Sequence, residues 1–300
     1  MNRREFLKHA AAANMALVVA PLLGSASLAS PRQTKPQVFE GRRVFDRLVR
    51  TARHHRWADR PIGALVGAIG MELRGTPYVA STLELYVDRE VCTANLLGLD
   101  CVTFFETALD FARMLKKGGS SPEAMLEQLT YTRYRDGAVS DYTSRLHYTS
   151  DWFHDNEEKH VVHEITRELP GAERFTAEVN FMSTHRDAYP QLKAHPKLVA
   201  GIAEAERRIN SRTMYFVPKE RVEGVESSLQ TGDIVGITTA LPGLDCSHTG
   251  LCSRDGQNVL RYLHASSSRH QVVLEGELSS YLKSVTKHTG IMVARPLELS

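Results

Sequence analysis

Between Leu99 and Leu115 the chain carries two adjoining apolar stripes at helical spacing. Phe104, Ala108, Phe111 and Leu115 recur on one, and Val102, Phe105, Leu109 and Ala112 lie beside it. Apolar side chains spread over so much of the circumference leave no broad face for water, so other elements must cover this helix. Its limits are equally legible. Asp100 offers a carboxylate to the free N–H groups of a first turn, and Lys116-Lys117-Gly118-Gly119 ends it with cations and then glycine. Cys101 then falls in the first turn, where unpaired N–H groups and the positive end of the helix dipole favour a thiolate. That field contributes about 0.3–1 kcal/mol, so a nucleophile also needs a base nearby. A free cysteine is equally at home as a small buried residue, and the helix alone leaves both readings open.

The first 29 residues read as a targeting segment. Asn2-Arg3-Arg4-Glu5-Phe6-Leu7-Lys8 is a twin-arginine motif, followed by an apolar run from Ala10 to Leu23 and the small-residue site Ser27-Leu28-Ala29. The run is short, alanine-rich and broken by Asn14 and Pro21, a poor bilayer span. The expectation is a periplasmic protein that meets the twin-arginine translocase during export and keeps no stable membrane span. The formal net charge of +2 resides in the leader, where Arg3, Arg4 and Lys8 outnumber Glu5 by two. A neutral mature chain argues against nucleic acid as partner. Residues 30–300 suffice for one large core. No nucleotide or flavin fingerprint occurs, and no cofactor is expected.

Four cysteines in an exported chain would ordinarily form two disulfides. Cys246 and Cys252, six positions apart on one apparent strand, span about 20 Å, beyond disulfide reach. Cys246, His248, Cys252 and His264 match no trusted zinc spacing, so no metal is expected. Cys92 reads as a small residue in a loop.

Along the chain, Val38 to Arg53 and Pro61 to Leu73 carry helical patterns, the second with proline at its start. Ser120-Ser121-Pro122-Glu123 opens a helix to about Tyr131. Tyr134 to Glu178 turns polar and aromatic, and a further helix runs from about Pro196 to Ile209. Asp233–Thr238, Thr249–Cys252, Val259–His264, Gln271–Leu274 and Gly290–Ala294 alternate or run apolar as strands, with a helix over Glu277–Val285. Helices first and strands gathered at the end indicate an α+β domain with an antiparallel sheet.

Three stretches stand in a telling order: Gly75-Thr76-Pro77-Tyr78-Val79, then Asp100-Cys101, then Ser247-His248-Thr249-Gly250 leading to Leu263-His264-Ala265-Ser266. This resembles the NlpC-type cysteine peptidases of bacterial cell walls. The runs Gly75 to Glu84, Leu99 to Phe104 and Phe181-Met182-Ser183 resemble more closely one branch of that superfamily, the N-acetylmuramoyl-L-alanine amidase-like proteins. The chain departs from ordinary NlpC domains at Ala80-Ser81 and in the long interval from Tyr78 to Cys101. The resemblance implies a papain-like core, a cysteine-bearing central helix against an antiparallel sheet, here with added helices and an insertion from about 118 to 219. It implies Cys101 as nucleophile, His248 as base, His264 as its orienting partner, and Tyr78 as a donor to the oxyanion beside the Cys101 N–H. Thr82 and Glu84, in the first run, and Trp152, Asn156 and His185, in the insertion, are the candidate substrate contacts.

A thiolate, an imidazole within reach and a third group that fixes the tautomer are the parts of an acyl-transfer enzyme. The expected substrate is a peptidoglycan fragment, cut at the amide between N-acetylmuramic acid and L-alanine through a thioester. Two alternatives stay open at this point: a γ-D-glutamyl-diamino acid endopeptidase, and a wall-binding protein whose cysteine is inert.

Overall fold

The computed structural model describes residues 37–299; the segment expected to be a twin-arginine leader lies outside the described residues. Counting helices of six residues or more, these are α1 Arg42–His54, α2 Ile62–Glu72, α3 Cys101–Lys116, α4 Pro122–Arg133, α5 Thr149–Glu158, α6 Val199–Asn210 and α7 Leu278–Lys283. The strands are β1 Gln37–Glu40, β2 Cys92–Asn95, β3 Val162–Glu164, β4 Glu173–Phe175, β5 Met214–Pro218, β6 Ile234–Thr239, β7 Cys246–Arg254, β8 Leu260–Ser266, β9 Gln271–Leu274 and β10 His288–Pro296. Among the described residues no helix is long and apolar enough to cross a membrane.

The main sheet runs β4-β5-β10-β6-β7-β8-β9, with β3 also pairing β10, and every pair in it is antiparallel. Helices and an antiparallel sheet make the α+β arrangement that the order of patterns predicts. The central helix is as buried as its two stripes require: every residue from Thr103 to Leu115 is buried. Its start is a reciprocal cap. Asp100 Oδ1 accepts from the Thr103 N–H at 2.8 Å, and the Asp100 N–H donates to Thr103 Oγ1 at 2.9 Å. Alternation along β7 and β8 sends Leu251, Leu263 and Ala265 into the core shared with Phe104. Cys252 and Tyr262 point the other way, into a second core with Leu278 and Leu282 of α7.

Three expectations need correction. Residues 37–40 are a strand paired in parallel with β2, not the first turn of a helix. The chain turns at Gly41, whose φ of +90° suits glycine and whose added Cβ would stand 2.8 Å from Leu96 Cβ. Cys92 lies on β2 rather than in a loop. The interval 118–219 is not a mere addition: α4 packs in the main core through Met125, Leu126 and Leu129, and β3 and β5 both pair β10.

Candidate active site

Cys101 opens α3 and is half-buried. Two segments hold it. From one side, the parallel bridge between Tyr78 and Leu99 brings the Pro77-Tyr78 segment alongside: the Leu99 N–H donates to Pro77 O at 3.0 Å and the Val79 N–H to Leu99 O at 3.1 Å. From the other side, Thr249 of β7 donates its hydroxyl to Cys101 O at 2.8 Å. The residue before it is His248. Its position coincides with a break in register, because Ile237 pairs His248 whereas Thr238 pairs Cys246. A bulge of this kind turns side chains away from regular alternation and is a common device beside active sites.

His248 Nε2 and His264 Nδ1 lie 2.6 Å apart, their rings perpendicular. The pair sits in an aromatic nest. Tyr262 stacks on His264 with centroids 4.7 Å apart, and Tyr281 of α7 tilts against the same ring at 4.9 Å. His288 follows at 5.7 Å from Tyr281. Gly250 permits this packing, since a Cβ there would meet the Tyr262 ring at 2.7 Å. No hydrogen bond joins Cys101 to His248 among the described residues; Thr249 is their covalent and hydrogen-bonded link. All four cysteines are free thiols, and among the described residues no three His, Cys, Asp or Glu side chains converge as a metal cluster.

The electrostatics differ from the expectation set by the helix dipole. Burial, and then the Asp100 carboxylate, push the Cys101 thiol up to about 11, while hydrogen bonds from the Thr249 hydroxyl, the Thr249 N–H and Cys101's own N–H pull it back only in part. Desolvation wins over the dipole. Burial likewise holds His248 well below the usual imidazole range, with the charges of His264 and His288 adding to it. His264 is lowered to about 4 by burial and then by His288. The directions of these shifts favour a protonated thiol and neutral imidazoles at neutral pH. The Tyr78 hydroxyl is also raised by burial and by Cys101 and Asp100, so it stays a donor.

The chain carries a helix-borne thiol, an imidazole pair on adjacent strands and a tyrosine segment beside the thiol, and comparison with known proteins places the chain in a family. The family model described as N-acetylmuramoyl-L-alanine amidase-like matches residues 68–291. The chain belongs to this amidase-like family. A crystal structure of an N-acetylmuramoyl-L-alanine amidase from Bacteroides uniformis is 33% identical with a TM-score of 0.72, covering 79% of this chain and 99% of that one. A structure titled a putative xylanase from Bacteroides fragilis is 35% identical with a TM-score of 0.69, covering 76% and 99%. A Legionella pneumophila protein at 22% identity and a TM-score of 0.64, covering 84% and 93%, shares the fold. None of the curated proteins compared matches the chain.

In this amidase-like chain the remaining predicted contacts divide. Trp152 and Asn156 are one helical turn apart on α5, and both face inward. Trp152 is 2% exposed, its Nε1–H donating to Glu106 Oε1 at 3.1 Å and its ring edge-on to Phe105 at 5.0 Å. Asn156 is fully buried and donates to Thr132 O and Trp152 O at 2.8 and 3.0 Å. Neither can touch a ligand; they brace α3 and α4. His185 is exposed and stacks on Phe181 at 4.3 Å, and its segment is fastened to the β6–β7 loop by Asn180 and Phe181 N–H groups donating to Gly243 O. Thr82 lines a hollow of 250 Å³ together with Val79, Ser81, Leu85 and Asn95. Glu84 accepts from Arg145 at 2.6 Å, tying the wall after Tyr78 to the body of the domain. Sequence reasoning missed Thr249, Tyr262 and Tyr281. Thr249 stood inside the quoted His-Thr-Gly run, whereas Tyr281 reaches the site only through the docking of α7.

Proposed function

We propose that this chain is an exported peptidoglycan hydrolase that cleaves the amide between N-acetylmuramic acid and L-alanine through a thioester on Cys101. The observation that carries this reading is the 2.6 Å bond between His248 and His264 on strands anchored to the Cys101 turn by Thr249. It supports reading His248 as the base and His264 as its orienting partner, in the order a papain-like, NlpC-type core would use. The named amidase neighbour from Bacteroides uniformis supports the same bond.

The steps follow from the groups present. Cys101 Sγ attacks the lactyl carbonyl carbon of the muramoyl group while His248 accepts the thiol proton. The carbonyl oxygen becomes an oxyanion, for which the Tyr78 hydroxyl and the Cys101 N–H are the donors. Collapse breaks the C–N bond, and His248 passes its proton to the leaving nitrogen, so the stem peptide departs with a free L-Ala amine. Water then attacks the thioester with His248 as base, releasing the muramic acid carboxylate and restoring the thiol. Burial pushes the thiol up, so His248 has to take its proton for the sulfur to attack. Export by the twin-arginine leader brings the protein to the wall.

Incubating the pure protein with a disaccharide-tetrapeptide and weighing the products tests the reading. Free disaccharide plus intact tetrapeptide is the expected outcome. A disaccharide-dipeptide would instead identify a γ-D-glutamyl endopeptidase, and no product at all an inert binding protein.

A further inference from the structure

We propose that Glu275 is the positioning residue that selects the tautomers of the His248–His264 pair, and with them the nitrogen that accepts the nucleophile's proton. This rests on reading His248 as the base of a cysteine amidase. A neutral imidazole carries its hydrogen on one nitrogen only, so the contact between His248 Nε2 and His264 Nδ1 can be made in two opposite senses. If His248 donates, its Nδ1 keeps a lone pair and can accept. If His264 donates, His248 Nδ1 holds the hydrogen and cannot act as a base. The 2.6 Å separation is the same in both cases.

The choice falls to whatever faces the far side of His264. That ring is fully buried, and its Nε2 has no hydrogen-bond partner. Glu275 Oε1 stands 3.8 Å from it. At that distance the contact is electrostatic rather than a hydrogen bond, and a carboxylate favours the tautomer that turns an N–H toward it. With the hydrogen on His264 Nε2, Nδ1 accepts, His248 Nε2 donates, and His248 Nδ1 is free to take the thiol proton. The same negative charge offsets the imidazolium that forms during acyl transfer.

The other groups around the pair do not compete for this role. Tyr262 of β8 and Tyr281 of α7 present ring faces to His264, and burial keeps both hydroxyls protonated. His288 of β10, beyond Tyr281, is neutral at pH 7, held low by burial and by Lys219. Arg269, in the β8–β9 turn, places Nε 3.8 Å from the same Glu275 oxygen and holds the carboxylate from the solvent side. Glu275 itself is fastened through its backbone N–H to Tyr262 O at 2.8 Å, so its place does not depend on its side chain.

The test reads histidine tautomers directly, in the whole folded protein without substrate. Long-range nitrogen–proton spectra of protein with 15N-labelled histidine should show both His248 and His264 protonated on Nε2. In Glu275→Ala the His264 hydrogen should redistribute to Nδ1, and kcat on a muropeptide should fall at least about tenfold with KM unchanged. Glu275→Gln keeps the shape without the charge, and its acid limb of kcat/KM should move to lower pH because the imidazolium loses its counter-charge. Wild-type tautomers retained in Glu275→Ala, or an unmoved acid limb in Glu275→Gln, overturn the proposal. Those spectra stand apart from the amidase reading: a muropeptide left uncut fails that reading alone, and an unchanged spectrum fails this inference alone.

Discussion

At the scale of single residues, the decisive quantity is the state of the thiol. A cysteine in the first turn of a helix is expected to ionise easily, but Cys101 is ringed by Tyr78, Asp100 and the aromatic nest, and desolvation raises it instead. Alkylation of Cys101 by iodoacetamide should therefore be slow at pH 7 and climb toward pH 11, without a plateau near neutrality. A labelling rate that levels off below pH 8 would show a preformed thiolate. The two histidines differ in what their loss removes. On the proposed mechanism, His248→Ala removes the base and should cost at least on the order of 10²-fold in kcat, whereas His264→Ala removes only the proposed orienting partner and should retain more activity. Steady-state rates on one muropeptide decide the ranking, and the reverse order would mean that His264 carries the proton. That Cys101, His248, His264 and Tyr78 would lie near one another was legible because each stands in a short motif. The direction of the thiol's shift was not, since the wall that dries the site comes from β8 and α7, more than a hundred positions away.

At the scale of elements, α3 was legible almost to the residue, and α5 was missed. The reason lies in buried charge. The face of α5 that turns inward contains Asp151 and Asp155, which read as solvent-facing until their partners are known. Asp151 pairs with Arg135 at 2.5 Å and with Arg212 at 2.7 Å, and Asp155 pairs with Lys159. Paired carboxylates inside a fold erase the apolar stripe by which a helix is recognised. Trp152 and Asn156, taken for ligand contacts, belong to that inward face. Trp152→Phe should lower stability by about 1–3 kcal/mol, through the lost bond to Glu106 and the smaller ring, and leave KM unchanged. Thermal melts and steady-state kinetics on the same preparation check this. A raised KM with an unaltered melting temperature would return Trp152 to the substrate groove. The strands β3 and β5 escaped notice for a different reason: each is short, β3 pairs only β10, and β5 is held between β4 and β10.

For the whole molecule, the nest behind the nucleophile makes stability depend on pH. His264 and His288 are each held at about 4 against an ordinary 6.5. Both are neutral in the fold, so between those values the unfolded chain binds the extra protons. Their contribution is full above pH 6.5 and is lost as the pH falls toward 4. His288→Phe takes one such group away and relieves His264 of a neighbouring charge. Its stability should fall less steeply than that of the wild type between pH 6.5 and 4.5, by about 1–2 kcal/mol over the window. Parallel slopes in paired denaturation curves would count against the nest as the source. The topology has a further consequence, for the order in which the molecule can come into being. β10 follows every other strand in the chain, yet it lies between β5 and β6 and also pairs β3. Until residues 288–296 have been made, β5 and β6 each present an unpaired inner edge, and His288 is missing from behind the imidazole pair. A ribosome-bound chain that already contains Cys101, His248 and His264 thus holds the groups proposed to react but not the strand that joins β5 to β6. On the mechanism proposed above, an amino-terminal fragment that lacks β10 should be inactive, because the sheet behind the proposed imidazole pair cannot close without it.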